Sequence, residues 1–134
     1  MTAHIVKTTW IDGMQFDGLI NNHHVIMDDG EYDLGPSPKR LMLASLGGCT
    51  GMDVVMILNK MRVEYSHFSV EVEAEVADEY PKIYNKVLLT YRIKMEKGNH
   101  AQMEKAIKLS QDKYCSVSAM FKSFAVLSTK VEYL

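Results

Sequence analysis

PKRLMLASLGGCTGMDVVMILNKM, residues 38–61, organises the sequence on either side of it. Leu41, Ser45, Gly48, Met52, Val55 and Asn59 follow one another at three- or four-residue steps, the period of an α-helix. Ser37 stands where an N-cap belongs, and Pro38 takes the first helical position, where a missing N–H costs nothing. Drawn straight, such a helix runs ~36 Å. Its other faces carry Leu43, Leu46, Val54, Met56 and Ile57, so it is apolar nearly all round. A helix of that kind is expected in the middle of a structure, or covered by a second subunit.

Upstream, short β runs are expected at 3–11, 14–20 and His23–Met27, with Asp12-Gly13 and Asn21-Asn22 between them as hairpin turns. Downstream, Phe68, Val70, Val72, Ala74 and Val76 alternate with Ser69, Glu71, Glu73 and Glu75, the two-residue period of a strand. After Asp78-Glu79-Tyr80-Pro81 a partner strand presents Ile83, Val87, Leu89, Tyr91 and Ile93 on one face. Lys86, Arg92 and Lys94 on the other face could pair with the glutamates across the hairpin. Gly98-Asn99 opens a helix with Met103, Ile107, Ser110 and Tyr114 on one stripe. A break and restart follow at Cys115-Ser116-Val117-Ser118, and Val126–Tyr133 reads as a closing strand. Strands and helices in this order make an α+β fold, and a chain of 134 residues fits one domain over 1–134.

Apolar residues make up 47% and charged residues 24%, a globular balance. The net charge of −2 offers nothing that would recruit nucleic acid or an anionic membrane. His4, Lys7, Asp12 and Asp17 interrupt the first twenty residues, so no signal-peptide core is expected there. No unbroken run of ~18 apolar residues suggests a bilayer span. The expected compartment is the cytoplasm, where thiols stay reduced and two cysteines are more often catalytic, redox-active or plainly buried than structurally paired. The 10 methionines read as adaptable core filler.

Those cysteines are Cys49 and Cys115. Cys49 lies in Gly47-Gly48-Cys49-Thr50-Gly51, and three helix-interior glycines cost roughly 3 kcal/mol relative to alanine. Close packing of a neighbouring element would offset that; so would a gap through which a substrate reaches the sulfur. Cys115 stands at a helix start, where free N–H groups and the helix dipole favour a thiolate, although a lone Cys so placed is more often an inert small hydrophobe. No Cys-x-x-Cys or histidine spacing supports a metal site made of the two cysteines with His23 and His24, and no cofactor is expected.

Pro38 with Leu41, then Gly48-Cys49-Thr50, then Lys113-Tyr114-Cys115-Ser116-Val117-Ser118 together resemble the OsmC/Ohr superfamily of osmotically inducible and organic hydroperoxide resistance proteins. The resemblance covers nearly the whole chain in order. It implies antiparallel sheets wrapped around a long central Cys-bearing helix in an intertwined homodimer. It also implies a thiol peroxidase in oxidative-stress defence. Cys49 would attack a hydroperoxide and become a sulfenic acid, Cys115 would condense with it to a disulfide, and an external thiol or dithiol would reduce the pair. The alternative within the same fold is a non-catalytic dimer that binds a small ligand or senses redox state.

Two departures stand out against that family pattern. Its peroxidase branch activates the first cysteine with an N-terminal Arg, held by a Glu ten residues before that cysteine. Here Lys39 holds the Glu position, and no Arg occurs before Arg40. Arg40 or Lys39 is the expected replacement cation, with His23 and His24 as remoter candidates. Asp53 follows Cys49 by one helical turn and shares its face, which disfavours a thiolate unless a cation intervenes. Asp53 is expected to cap a backbone group or pair with a base, or else to orient a cation beside Cys49.

Overall fold

In the computed structural model, which describes residues 2–134, the chain begins with β1 (Lys7–Asp12), β2 (Gln15–Ile20) and β3 (His23–Met27) in one antiparallel sheet. Asn21 and Asn22, at φ 48° and 64°, supply the pair of left-handed residues that a tight hairpin turn requires. β1 starts at Lys7 rather than at residue 3, because Lys7 already pairs with Leu19 and β2 ends one residue later. After β3 the buried Asp28 knots the loop: its carboxylate accepts the N–H groups of Gly30 at 2.9 Å and Leu34 at 3.1 Å. A side chain at Gly35 would strike the Ile26 carbonyl, so only glycine fits. Helix α1 (Pro38–Lys60) then begins, with the Leu41 N–H donating to the Ser37 carbonyl at 3.0 Å, which puts Ser37 at the N-cap position.

The chain divides into two compact units, one up to Met42 and the other Leu43–Leu134. The second unit takes up the rest of α1 and adds β4 (Ser66–Val76), β5 (Tyr84–Lys94), α2 (His100–Leu109), α3 (Ser116–Phe121) and β6 (Val126–Tyr133). Its sheet order is β4-β5-β6, antiparallel between β4 and β5 and parallel between β5 and β6. Parallel pairing follows from the helical crossover that α2 and α3 make between β5 and β6. As the middle strand, β5 buries Tyr84, Val87, Leu89, Tyr91 and Ile93. Leu46, Val54 and Leu58 of α1 join them in one core with Met103 and Ala106 of α2 and Phe121 of α3. Of the three bases expected to pair across the hairpin, Arg92 does so: it reaches Glu71 at 3.3 Å and Glu132 on β6 at 2.9 Å.

α1 is less enclosed than its sequence suggests. Its inward side (Leu46, Gly47, Thr50, Val54, Ile57, Leu58) is buried, while Met52 is 75% exposed and Met56 is exposed as well. By length and composition α1 is also apolar enough to cross a membrane. The apolar run is broken by Ser45, the glycines, Thr50 and Asp53, yet its mean hydropathy stays high. The core helix of a water-exposed fold meets the same criterion.

The stripe of α2 changes partway. Met103, Ile107 and Ser110 are buried, but Tyr114 is exposed. Residues Ser110–Tyr114 form a π-helical turn, closed by the Cys115 N–H donating to the Ser110 carbonyl at 2.8 Å. The wider turn rotates everything after Ser110 around the axis, taking Tyr114 off the core face and delivering Cys115 to it.

Candidate active site

Three elements deliver the cysteines and their surroundings. α1 carries Cys49, Thr50 and Asp53; the π turn carries Ser110 and Gln111; α3 begins on Cys115 and carries Ser118. The sulfurs of Cys49 and Cys115 and a carboxylate oxygen of Asp53 all lie within 4.8 Å of one another. Cys49 is half-buried, whereas Cys115 is only 3% exposed. The Ser118 N–H donates to Cys115 Sγ at 3.3 Å. Burial nonetheless dominates and pushes the Cys115 thiol up from its ordinary value, helped by the neighbouring Cys49 thiol and only partly opposed by Ser118. Of the two readings of Cys115, the buried small hydrophobe is the one that fits: desolvation outweighs the few N–H groups of a one-and-a-half-turn helix.

Beneath the sulfurs runs a buried chain of hydroxyls. Ser110 Oγ donates to Asp53 Oδ2 at 2.9 Å. With its one proton committed there, Ser110 must accept from Thr50 Oγ1 at 2.7 Å, and Thr50 in turn must accept from the Tyr91 hydroxyl at 2.7 Å. Gln111 Nε2 donates to Ser118 Oγ at 2.9 Å and lies 3.2 Å from Thr50 Oγ1 and 3.3 Å from the Tyr91 oxygen. The order Tyr91 to Thr50 to Ser110 to Asp53 is thus forced by proton count. This network locks α1, β5, the π turn and α3 into one register under the thiols. Among the described residues Asp53 neither caps a backbone group nor meets a base; it is held by a hydroxyl from another helical segment.

A protein-family model described as OsmC-like protein matches residues 29–130. The chain belongs to the OsmC-like family. Protein YhfA of Escherichia coli K12 is 32% identical over 117 residues, covering 87% of each chain. The crystal structure of a hypothetical protein from Aquifex aeolicus superposes with a TM-score of 0.84 at 28% identity, covering 100% of this chain and 99% of that one. An organic hydroperoxide resistance protein OsmC from Legionella pneumophila shares the fold, with a TM-score of 0.71 at 16% identity over 98% of both chains. In this OsmC-like chain the two cysteines therefore stand together.

The remaining candidates, Lys39, Arg40, His23 and His24, belong to the first unit. Lys39 and Arg40 line a cavity of about 570 Å³ there with Asp28, Asp29 and Asp33. His24 pairs with Asp17 at 2.8 Å on the first sheet, and His23 is exposed beside it. The glycine-rich stretch of α1 serves packing first: a Cβ on Gly47 would come within 3.1 Å of a Val72 methyl, and one on Gly51 within 3.5 Å of Val70. Gly48 faces open space, and the grooves these glycines line are bounded by Val70, Val72 and Phe68 of β4 rather than by Cys49. The gap they leave thus opens toward β4, not onto the sulfur. In the sequence Tyr91 and Ser110 stand as members of apolar faces, Thr50 and Ser118 only as neighbours of the cysteines, and Gln111 gives no signal. The signal was available in Thr50 and Ser110, small hydroxyl residues on otherwise apolar helix faces.

Proposed function

We propose that this OsmC-like chain is a two-cysteine thiol peroxidase that reduces organic hydroperoxides or hydrogen peroxide in cytoplasmic oxidative-stress defence. The observation that carries the reading is the meeting of the two sulfurs within 4.8 Å with unequal access, Cys49 half-buried and Cys115 buried. Accessibility assigns the roles. The Cys49 thiolate attacks the outer peroxide oxygen, the O–O bond breaks, and the alkoxide leaves as alcohol after taking a proton. Cys115, held as a thiol by burial, then displaces water from the Cys49 sulfenic acid to form the disulfide. An external thiol or dithiol restores both thiols. The cation that favours the Cys49 thiolate is proposed to be Arg40 or Lys39, in place of the Arg used in the family's peroxidase branch.

The working unit is proposed to be a homodimer. The first sheet leaves Trp10, Ile11, Met14, Phe16, Leu19 and Ile20 exposed, and in its unit only Gly18 and Asp28 are buried among the described residues. Such a sheet lacks the core it needs, and a second copy would supply it.

The test is stoichiometric peroxide loss with mass spectrometry of non-reduced peptides. One equivalent of cumene hydroperoxide should be consumed per reduced chain, leaving a Cys49–Cys115 disulfide. Cys115→Ser should consume peroxide but stop at the sulfenic acid, and Cys49→Ser should consume none. Arg40→Ala and Lys39→Ala report on the cation. Unchanged thiols after peroxide exposure would refute the reading and favour a ligand-binding dimer, for which the apolar groove along Met52, Val55, Phe68 and Val70 is the natural seat.

A further inference from the structure

We propose that the reduced cysteine pair, together with Asp53, forms a zinc site with three protein ligands and a fourth position open to water or substrate. The donors are Cys49 Sγ, Cys115 Sγ and one Asp53 carboxylate oxygen, all within 4.8 Å of one another. The chemistry of this set is selective. Two thiolates rule out the hard cations Mg²⁺ and Ca²⁺, which take oxygen ligands, while a carboxylate as third donor suits zinc better than the softer cuprous ion. Around a tetrahedral zinc, ligand atoms stand roughly 3.5–3.8 Å apart, given bonds of ~2.3 Å to sulfur and ~2.0–2.2 Å to oxygen. From separations of at most 4.8 Å, the trio has about an ångström to close to reach that spacing.

Charge and support point the same way. Asp53 has the neutral Ser110 hydroxyl as its hydrogen-bond partner, and among the described residues no ion pair includes it. A half-buried carboxylate beside two thiols that can ionise gathers three donors for one dication. The Ser110 bond to Oδ2 also does what an outer-shell partner does for a metal ligand: it fixes the carboxylate and leaves Oδ1 free to bind. The Ser118 N–H aims at Cys115 Sγ in the same manner. Zinc displaces both thiol protons on binding, giving two thiolates, one carboxylate and a dication, a centre of charge −1. Because a disulfide would consume both sulfur ligands, zinc occupancy and disulfide formation exclude each other. The site requires only that both cysteines be reduced, so it stands or falls independently of the peroxidase reading.

The test uses the full, reduced, chelator-washed chain under anaerobic conditions, titrated with Co²⁺ as spectroscopic probe and then with Zn²⁺. The expected result is one Co²⁺ per chain, with a thiolate-to-cobalt charge-transfer band and tetrahedral ligand-field bands that Zn²⁺ abolishes. Asp53→Asn, nearly isosteric, should weaken zinc binding at least ~10-fold, and Ser110→Ala should weaken it by about the 10–100-fold of a lost outer-shell partner. Cys49→Ser or Cys115→Ser should each diminish the charge-transfer band. Absence of that band in the parent would overturn the site, as would unchanged affinity in both Asp53→Asn and Ser110→Ala, or binding that survives removal of both cysteines. Peroxide loss by the metal-free chain is measured separately and bears on the peroxidase reading alone.

Discussion

Thr50 stands next to Cys49 and is fully buried, yet its hydroxyl meets three partners from β5 and the π turn. Replacing it with valine keeps the shape and removes the oxygen, leaving the Tyr91 O–H without its acceptor and Ser110 without its donor. An unsatisfied buried polar group costs about 1–3 kcal/mol, so Thr50→Val should lose that much stability in urea unfolding while its helix content stays unchanged. Cys115 has a different signature. Burial raises its thiol above the ordinary value of 9.0, so in metal-free Cys49→Ser its alkylation by iodoacetamide should begin at a higher pH than that of a free thiol. An alkylation profile that matches free cysteine would show the sulfur to be solvated.

The glycines of α1 separate into two kinds, and alanine distinguishes them. A Cβ at Gly48 meets nothing within 4 Å, so Gly48→Ala should gain roughly 0.5–1 kcal/mol from helix propensity and raise the melting temperature. At Gly47 the same change presses on a Val72 methyl at 3.1 Å, so the gain should be cancelled or reversed. Thermal melts of the two variants side by side decide this; destabilisation at Gly48 would mean that another surface packs there. Along β5, Arg92 ties β4 to β6 through Glu71 and Glu132. Hydrogen bonding to Arg92 holds the Glu132 carboxyl below its ordinary 4.5. A lowered carboxyl contributes stability that is full above the ordinary value and is lost as pH falls through the folded one. The stability difference between the parent and Glu132→Gln should therefore shrink as pH drops below 4.5, as followed by urea midpoints.

The assembled protein is expected to be a dimer. Trp10, Met14 and Phe16 in the first unit and Met52 and Met56 on α1 are exposed apolar side chains that a second copy would cover. Sedimentation velocity at micromolar concentration should give twice the chain mass of 15.2 kDa, and Trp10 fluorescence should report its burial. A stable folded monomer under those conditions would count decisively against the assembly.

Periodicity made the elements legible, since burial on one face writes itself into the sequence every two residues in β4 and every three or four in α1 and α2. Motif likeness carried the family, because Gly48-Cys49-Thr50 and the Cys115 segment keep their order and context. Composition and spacing could not reveal the company the cysteines keep. Asp53, Ser110 and Tyr91 are remote from one another in the chain, and a hydrogen bond between remote residues leaves no periodic trace. The π turn was equally hidden, because one extra residue in a helical turn changes no pattern before it and rotates every side chain after it. Whether Cys115 is a thiolate or a thiol was also left to the tertiary structure, where the loss of water around a buried sulfur outweighs the helix start that the sequence displays.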